Sequence, residues 1–135
     1  MKEHALSTLE TSMKYTLDVA AAMPEKAYHF RPENGGWDFS ELMNHITYGI
    51  YWWQENYVKN QETAWDPPAP KNGKQSVIAC LSDAYTDLKS TLGSVKWNDR
   101  VLQGLYATLD HITHHRGQAV VYLRCSGIEP PEYVY

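Results

Sequence analysis

Four stretches of apolar residues at helical spacing, set apart by three loops with strong breakers, leave this chain little choice of architecture. In the first, Leu6, Leu9, Met13, Leu17 and Ala20 fall on one helical face, and Pro24 stops the run. A loop from Pro24 to Trp37 follows, carrying Arg31-Pro32 and the pair Gly35-Gly36. The second stretch has a start signal: Asp38 is placed to cap a helix, and Glu41 three residues on can complete a capping box. Leu42, His45, Ile46, Gly49 and Trp53 then share a face, and the pattern fades near Asn60. Pro67-Pro68-Ala69-Pro70 and Asn72-Gly73 read as loop. Ser76 is the expected cap of the third helix, whose stripe is Val77, Leu81, Ala84, Leu88 and Leu92, with Gly93 at its end. The fourth should begin at Asn98 or Asp99 and run to about Cys125, with Gly127 as its C-terminal stop and Pro130-Pro131 beyond.

With no strand pattern between them, no repeat and no low-complexity tract, these segments predict an all-α four-helix bundle, a single domain over 1–135. The loop between the second and third helices is the longest, so a simple up-down-up-down path does not follow from the sequence. The formal charge of -4 is scattered in sign and gives no basic footprint for nucleic acid. The N-terminal residues lack the apolar stretch of a secretory signal, and no apolar run approaches the roughly 20 residues needed to cross a bilayer. The expectation is a cytoplasmic protein without membrane or nucleic-acid partners. Cys80 and Cys125 fall inside predicted helices and are expected to be buried free thiols. Ten tyrosines and five tryptophans supply rings for a core or for the wall of a pocket, with Tyr48, Trp52, Trp53 and Tyr122 as pocket candidates.

The chemistry concentrates in the last helix, which reads Asp110-His111-Ile112-Thr113-His114-His115-Arg116-Gly117-Gln118. At about 100° per residue, His111 and His115 lie only about 40° apart, one turn above the other. Two imidazoles so spaced can grip one ion, as in the HExxH zinc helix, although the glutamate of that motif is absent here. Both lie at or within the apolar arc formed by Val101, Leu105, Ile112, Ala119, Tyr122 and Leu123, whereas His114 points away from it. Turning two imidazoles inward costs on the order of 1–3 kcal/mol unless they find partners. A metal ion is such a partner, and two protein ligands rarely suffice, so a third should come from another helix. His45, inward-facing between Leu42 and Gly49, is the candidate, and Gly49 leaves room beside it. Three histidines with coordination positions left open describe a catalytic rather than a structural site. No carboxylate is clearly placed inside: Glu41 lies about 40° from His45, and Asp110 faces away. Gly117 costs about 1 kcal/mol in a helix interior relative to alanine, which points to close approach of a neighbouring helix. Gln118 either supports the site or packs in the core.

The run from His111 through Arg116-Gly117-Gln118, followed by Leu123-Arg124-Cys125-Ser126-Gly127 and Pro130-Pro131, resembles the last helix of DinB proteins, where HxxxHRGQ precedes LRxxG and a PP pair. Trp37-Asp-Phe-Ser40-Glu41-Leu42-Met-Asn-His45 is similar to the family's W-x-x-S-x-E-L-x-x-H opening, with some drift in spacing around the serine. The resemblance runs from about Phe30 to Pro131. It implies a four-helix bundle, usually homodimeric, with a divalent metal ion (zinc, nickel, manganese or iron) on His45, His111 and His115. It also implies a small-molecule substrate, because the superfamily includes transferases and isomerases that use low-molecular-weight thiols and members assigned as metal-dependent hydrolases. The chain is short for the family. A non-catalytic, stress-related bundle that binds a metal or ligand is the alternative the sequence leaves open.

Overall fold

In the computed structural model, which describes all of Met1–Tyr135, the four stretches are helices: α1 (Lys2–Ala22), α2 (Phe39–Trp53), α3 (Lys74–Ser94) and α4 (Asp99–Cys125). Short sequence signals set their ends. Met23 leaves the helical conformation ahead of Pro24. The Asp38 carboxylate accepts from the Glu41 backbone N–H at 2.8 Å, one of the donors a helix start leaves without a carbonyl. Asn98 caps α4 in the same way through the Val101 N–H at 2.9 Å. Gly127 adopts a φ of 76°, the left-handed conformation that closes a helix and suits glycine. The capping box at α2 is only half made, since Glu41 turns its carboxylate toward Arg31 at 3.9 Å. The third helix starts three residues earlier than expected: Gly73 stands at its cap position and Ser76 already lies inside it.

All four helices contribute to a shared core. The α3 stripe is buried as the spacing predicts, joined by Tyr85. The buried face of α1 is instead centred on Ala5, Leu9, Ser12, Thr16, Val19 and Ala20, while Leu6, Met13 and Leu17 sit at its margin. The displacement has a polar cause. Ser12 and Thr16 turn inward because Tyr85 and Arg116 hydrogen-bond to them.

The long loop does rearrange the helix order. α1 packs on α3 and α4, and α2 packs on the same two, so α1 and α2 are not principal neighbours. That arrangement sets His45 of α2 directly opposite His111 and His115 of α4. The second helix continues as a π-helical turn, Gln54–Val58, and ends at Asn60, whose φ is 56°. No helix is long and apolar enough to cross a membrane. The cysteines are unpaired, but neither is buried: Cys80 is half-exposed and Cys125 is exposed. The helical-wheel margin at these two positions faces solvent rather than core.

Candidate metal centre

His45, His111 and His115 converge. The Nε2 atoms of His111 and His45 are 2.9 Å apart, and those of His45 and His115 are 3.0 Å apart. Each ring is half-buried. The cluster contains three histidines and no carboxylate or thiol. His114 is exposed and takes no part, as its position on the wheel predicts.

Two glycine positions define how the helices come so close. A Cβ on Gly49 would stand 2.5 Å from both Cε1 and Nδ1 of His111, so the α4 imidazole lies in the gap that the missing side chain leaves. Gly104 plays the same part lower on α4, where a Cβ would meet the Cβ of Tyr57 at 2.5 Å. At Gly117, by contrast, a Cβ would meet nothing within 4 Å. The close approach expected there is absent.

Burial holds the three rings neutral. Desolvation, followed by the neighbouring His115 charge, depresses the pKa of His45 to about 4. Desolvation likewise pushes His111 down to about 3, with His115, His45 and His114 adding to the effect. His115 is lowered by burial, partly opposed by its bond to Gln118. That bond, Nδ1 to Oε1 at 2.8 Å, makes Nδ1 the donor and leaves the His115 Nε2 lone pair aimed at the centre. Gln118 therefore orients a ring rather than packing in the core.

Neutral imidazoles in this arrangement cannot satisfy one another. The two Nε2–Nε2 contacts share the single Nε2 of His45, so one proton or one lone pair has to serve both. His111 has no second outlet, because its Nδ1 is buried without a partner. Histidine nitrogens on a common ion at the usual 2.0–2.1 Å are separated by about 2.9–3.4 Å, depending on coordination number. The two separations made by His45 fall at the short end of that range, and all three ligand nitrogens lie within 4.8 Å of one another. The residues present thus fit a divalent cation: three neutral nitrogen donors from two helices, one of them oriented through its other nitrogen.

Around the cluster stands a collar of indoles. Trp37, immediately before the α2 cap, lies 4.3 Å from His45 and 5.7 Å from His115, centroid to centroid. Trp53 packs on His111 at 4.8 Å, and Trp65 approaches His45 at 5.6 Å. Of the four rings named from sequence, Trp53 touches the cluster, while Tyr48 and Trp52 bear on it through Trp65. Tyr122 instead donates its hydroxyl to the Trp37 carbonyl at 2.8 Å. Trp65 lies in the long loop and was invisible to helical spacing. A signal existed nonetheless: Asn44, Tyr48, Trp52 and Asn56 recur every four residues, and all four bond loop backbone between Thr63 and Lys71. A cavity of about 450 Å³ opens beside His45, lined by Trp37, Tyr48, Tyr51, Cys80 and the proline run Pro67-Pro68-Ala69-Pro70.

An all-α bundle with a three-histidine cluster between its second and fourth helices is thus the class of protein the geometry defines. Its DinB-like character is shown at the level of the fold: the chain superposes on a DinB-like protein from Bacillus cereus ATCC 10987 with a TM-score of 0.82, covering 98% of this chain and 97% of that one at 17% identity. No protein-family model matches the chain, and no curated protein is significantly similar to it.

Proposed function

We propose that the protein binds one divalent metal ion on His45, His111 and His115 and uses it for enzymatic chemistry on a small molecule, as a thiol-dependent S-transferase or a hydrolase. The observation that carries this reading is the meeting of three neutral Nε2 atoms, 2.9 and 3.0 Å apart, whose hydrogen-bonding needs the protein itself leaves unmet. A bound divalent ion would lower the pKa of a coordinated water or thiol toward neutrality and so supply a nucleophile. The chain's own groups do the rest. Gln118 fixes the His115 tautomer, Gly49 admits His111, and Trp37, Trp53 and Trp65 keep the surroundings apolar.

No carboxylate belongs to the three-histidine cluster, but Glu41 and Asp83 line the cavity beside His45 and could serve as the general acid or base that hydrolysis calls for, so the thiol screen below decides between the two chemistries. The cavity beside His45, with aromatic and proline walls and Glu41, Asn44, Lys71 and Asp83 among its lining residues, suits a small electrophile that carries polar groups. In this reading residues 1–135 act as one cytoplasmic domain that pairs as a homodimer, as the DinB resemblance implies.

Metal analysis of protein purified without an affinity tag tests the site. We expect close to one equivalent per chain in the wild type and almost none in His111→Ala; equal content in both would sink the proposal. Metal-loaded protein screened with glutathione, bacillithiol or mycothiol and a generic electrophile should turn over with at least one of these thiols. No turnover with any of them would exclude the transferase reading and leave the metal site standing as a binding site.

A further inference from the structure

The side of α4 away from the histidines carries a second polar feature. On a regular helix Thr113, Gly117, Val120 and Arg124 lie about 180° from the His111–His115 stripe. With α1 and the C-terminal segment they enclose a groove of about 690 Å³, within the usual range for small-molecule sites. Arg116 lies between this groove and the core and is 5% exposed.

A buried guanidinium without a counter-ion is expensive, and natural interiors nearly always pair one. Arg116 has no carboxylate within ion-pairing reach, since none of the chain's ion pairs includes it. Its partners are neutral oxygens, all met by Nη1: Thr16 Oγ1 at 3.0 Å, Ser12 Oγ at 3.4 Å and the Ser12 carbonyl at 3.5 Å. The Tyr15 ring covers one face at 4.7 Å. Nε and Nη2 donate to nothing in the chain, and neither is sealed from the groove. The guanidinium is therefore held rigidly by α1 on one edge and presents its remaining donors to a cavity.

Gly117 points the same way. It costs about 1 kcal/mol in a helix interior, and no neighbouring helix requires it. Its missing side chain keeps the groove open next to Arg116.

The rim selects among anions. Arg124, Glu129 and Glu132 border the groove, and none is engaged in an ion pair. With two carboxylates against the one guanidinium of Arg124, the rim is net negative, which disfavours a dianion and accommodates an ammonium group, while the Tyr15, Val120 and Pro131 surfaces receive an apolar body. We infer that the groove binds a small zwitterionic carboxylate of the amino-acid class. Its carboxylate would dock on the free edge of Arg116, with its ammonium toward Glu129 and Glu132.

The protein as purified is screened by thermal shift and saturation-transfer NMR against pools of the twenty common amino acids, acetate and inorganic phosphate at millimolar concentration. At least one amino acid should raise the melting temperature by several degrees and show transfer, with acetate and phosphate weaker at least tenfold. Gly117→Leu places a side chain in the groove at a position where an added Cβ meets nothing within 4 Å and where leucine favours the helix over glycine, so this variant should fold at least as well as the wild type and bind at least tenfold more weakly. Arg116→Lys, which keeps the charge but loses the planar fork, should weaken binding by a similar factor. The inference fails if no amino acid binds or if phosphate binds as well as any of them. It fails equally if Gly117→Leu binds normally. A wild-type dimer that falls to monomer on Arg116→Lys would also overturn it, by making a second copy of the chain the occupant.

Discussion

Helix α4 carries polar groups on two sides, and the protein treats them in opposite ways. Toward α2 it presents His111 and His115 to His45, three rings whose Nε2 atoms point at one another and whose needs are not met inside the chain. Toward α1 it presents Arg116, whose Nη1 is saturated by the Ser12 and Thr16 oxygens. One side is a cluster of neutral imidazoles that could hold a cation; the other is a cation fixed by its own helix neighbours. The contrast shows that polarity inside a bundle is not one phenomenon. Converging lone pairs imply a ligand directly, whereas a well-supported donor implies one only through the edge it leaves free.

The largest effect expected on this contrast comes from Gly49→Ala. The added methyl would stand 2.5 Å from two atoms of the His111 ring, far inside van der Waals contact, so the ring must leave its position. We expect metal affinity to fall by at least 100-fold, about 3 kcal/mol, by titration against a chelator. Gly104→Ala, which clashes with Tyr57 equally closely but away from the histidines, is the control: it should lower stability by about 1–3 kcal/mol and leave metal affinity nearly unchanged. Equal metal affinity in Gly49→Ala and wild type would separate the glycine gap from the histidine geometry.

On the Arg116 side, Thr16→Val should cost about 2 kcal/mol of unfolding free energy by denaturant titration. It removes an oxygen that accepts from Arg116 at 3.0 Å and bonds the Tyr85 hydroxyl at 2.9 Å, all in the buried interior. Metal content should not change. A loss of metal with Thr16→Val would show that the two sides of α4 are coupled.

The two sides also differed in how readily they could be read from sequence. The histidines declared themselves through the four-residue step in α4 and an inward histidine in α2, because helical periodicity alone fixes which residues share a face. The helix bounds at Asn98 and Gly127 and the α3 stripe were legible for the same local reason. What periodicity cannot supply is contact between elements distant in sequence. Ser12 and Thr16 look like solvent-facing positions of α1 until Arg116 and Tyr85, about 70 to 100 residues away, draw them inward. Gly117 suggested a close helix crossing, while the crossings lie at Gly49 and Gly104. Trp65 sits in a loop with no period, so its place over the histidines depends on side chains from α2 that hold the loop down.

A smaller effect should come from Gln118→Ala. His115 would keep its position but lose the acceptor that fixes its tautomer, and partners of this kind typically contribute 10–100-fold in metal affinity. Because Gln118 is exposed, we expect the lower end, about tenfold. Gln118→Glu should restore affinity, since a carboxylate accepts the same Nδ1–H.

The smallest effect distinguishes the histidines by charge in the metal-free protein. His45 and His111 have folded-state pKa values lowered to about 4 and about 3, against about 6.5 in an unfolded chain. A group depressed in this way adds stability that is complete above the unfolded pKa. That stability drains as pH falls below about 6.5, where the unfolded chain takes up protons that the folded site refuses. Both rings are only half-buried, so solvent screening limits the loss to a few degrees of melting temperature between neutral pH and pH 4. His29 works in the opposite sense. Its bond to Asp38 raises its pKa, so its contribution is full below about 6.5 and fades as pH rises through the raised value. Melting curves of metal-free wild type, His111→Ala and His29→Gln across this range separate the two: the acid loss should shrink in the first variant and steepen slightly in the second. An acid slope unchanged by His111→Ala would mean the ring is not held neutral by its burial against α2, and the contrast between the two sides of α4 would lose its electrostatic basis.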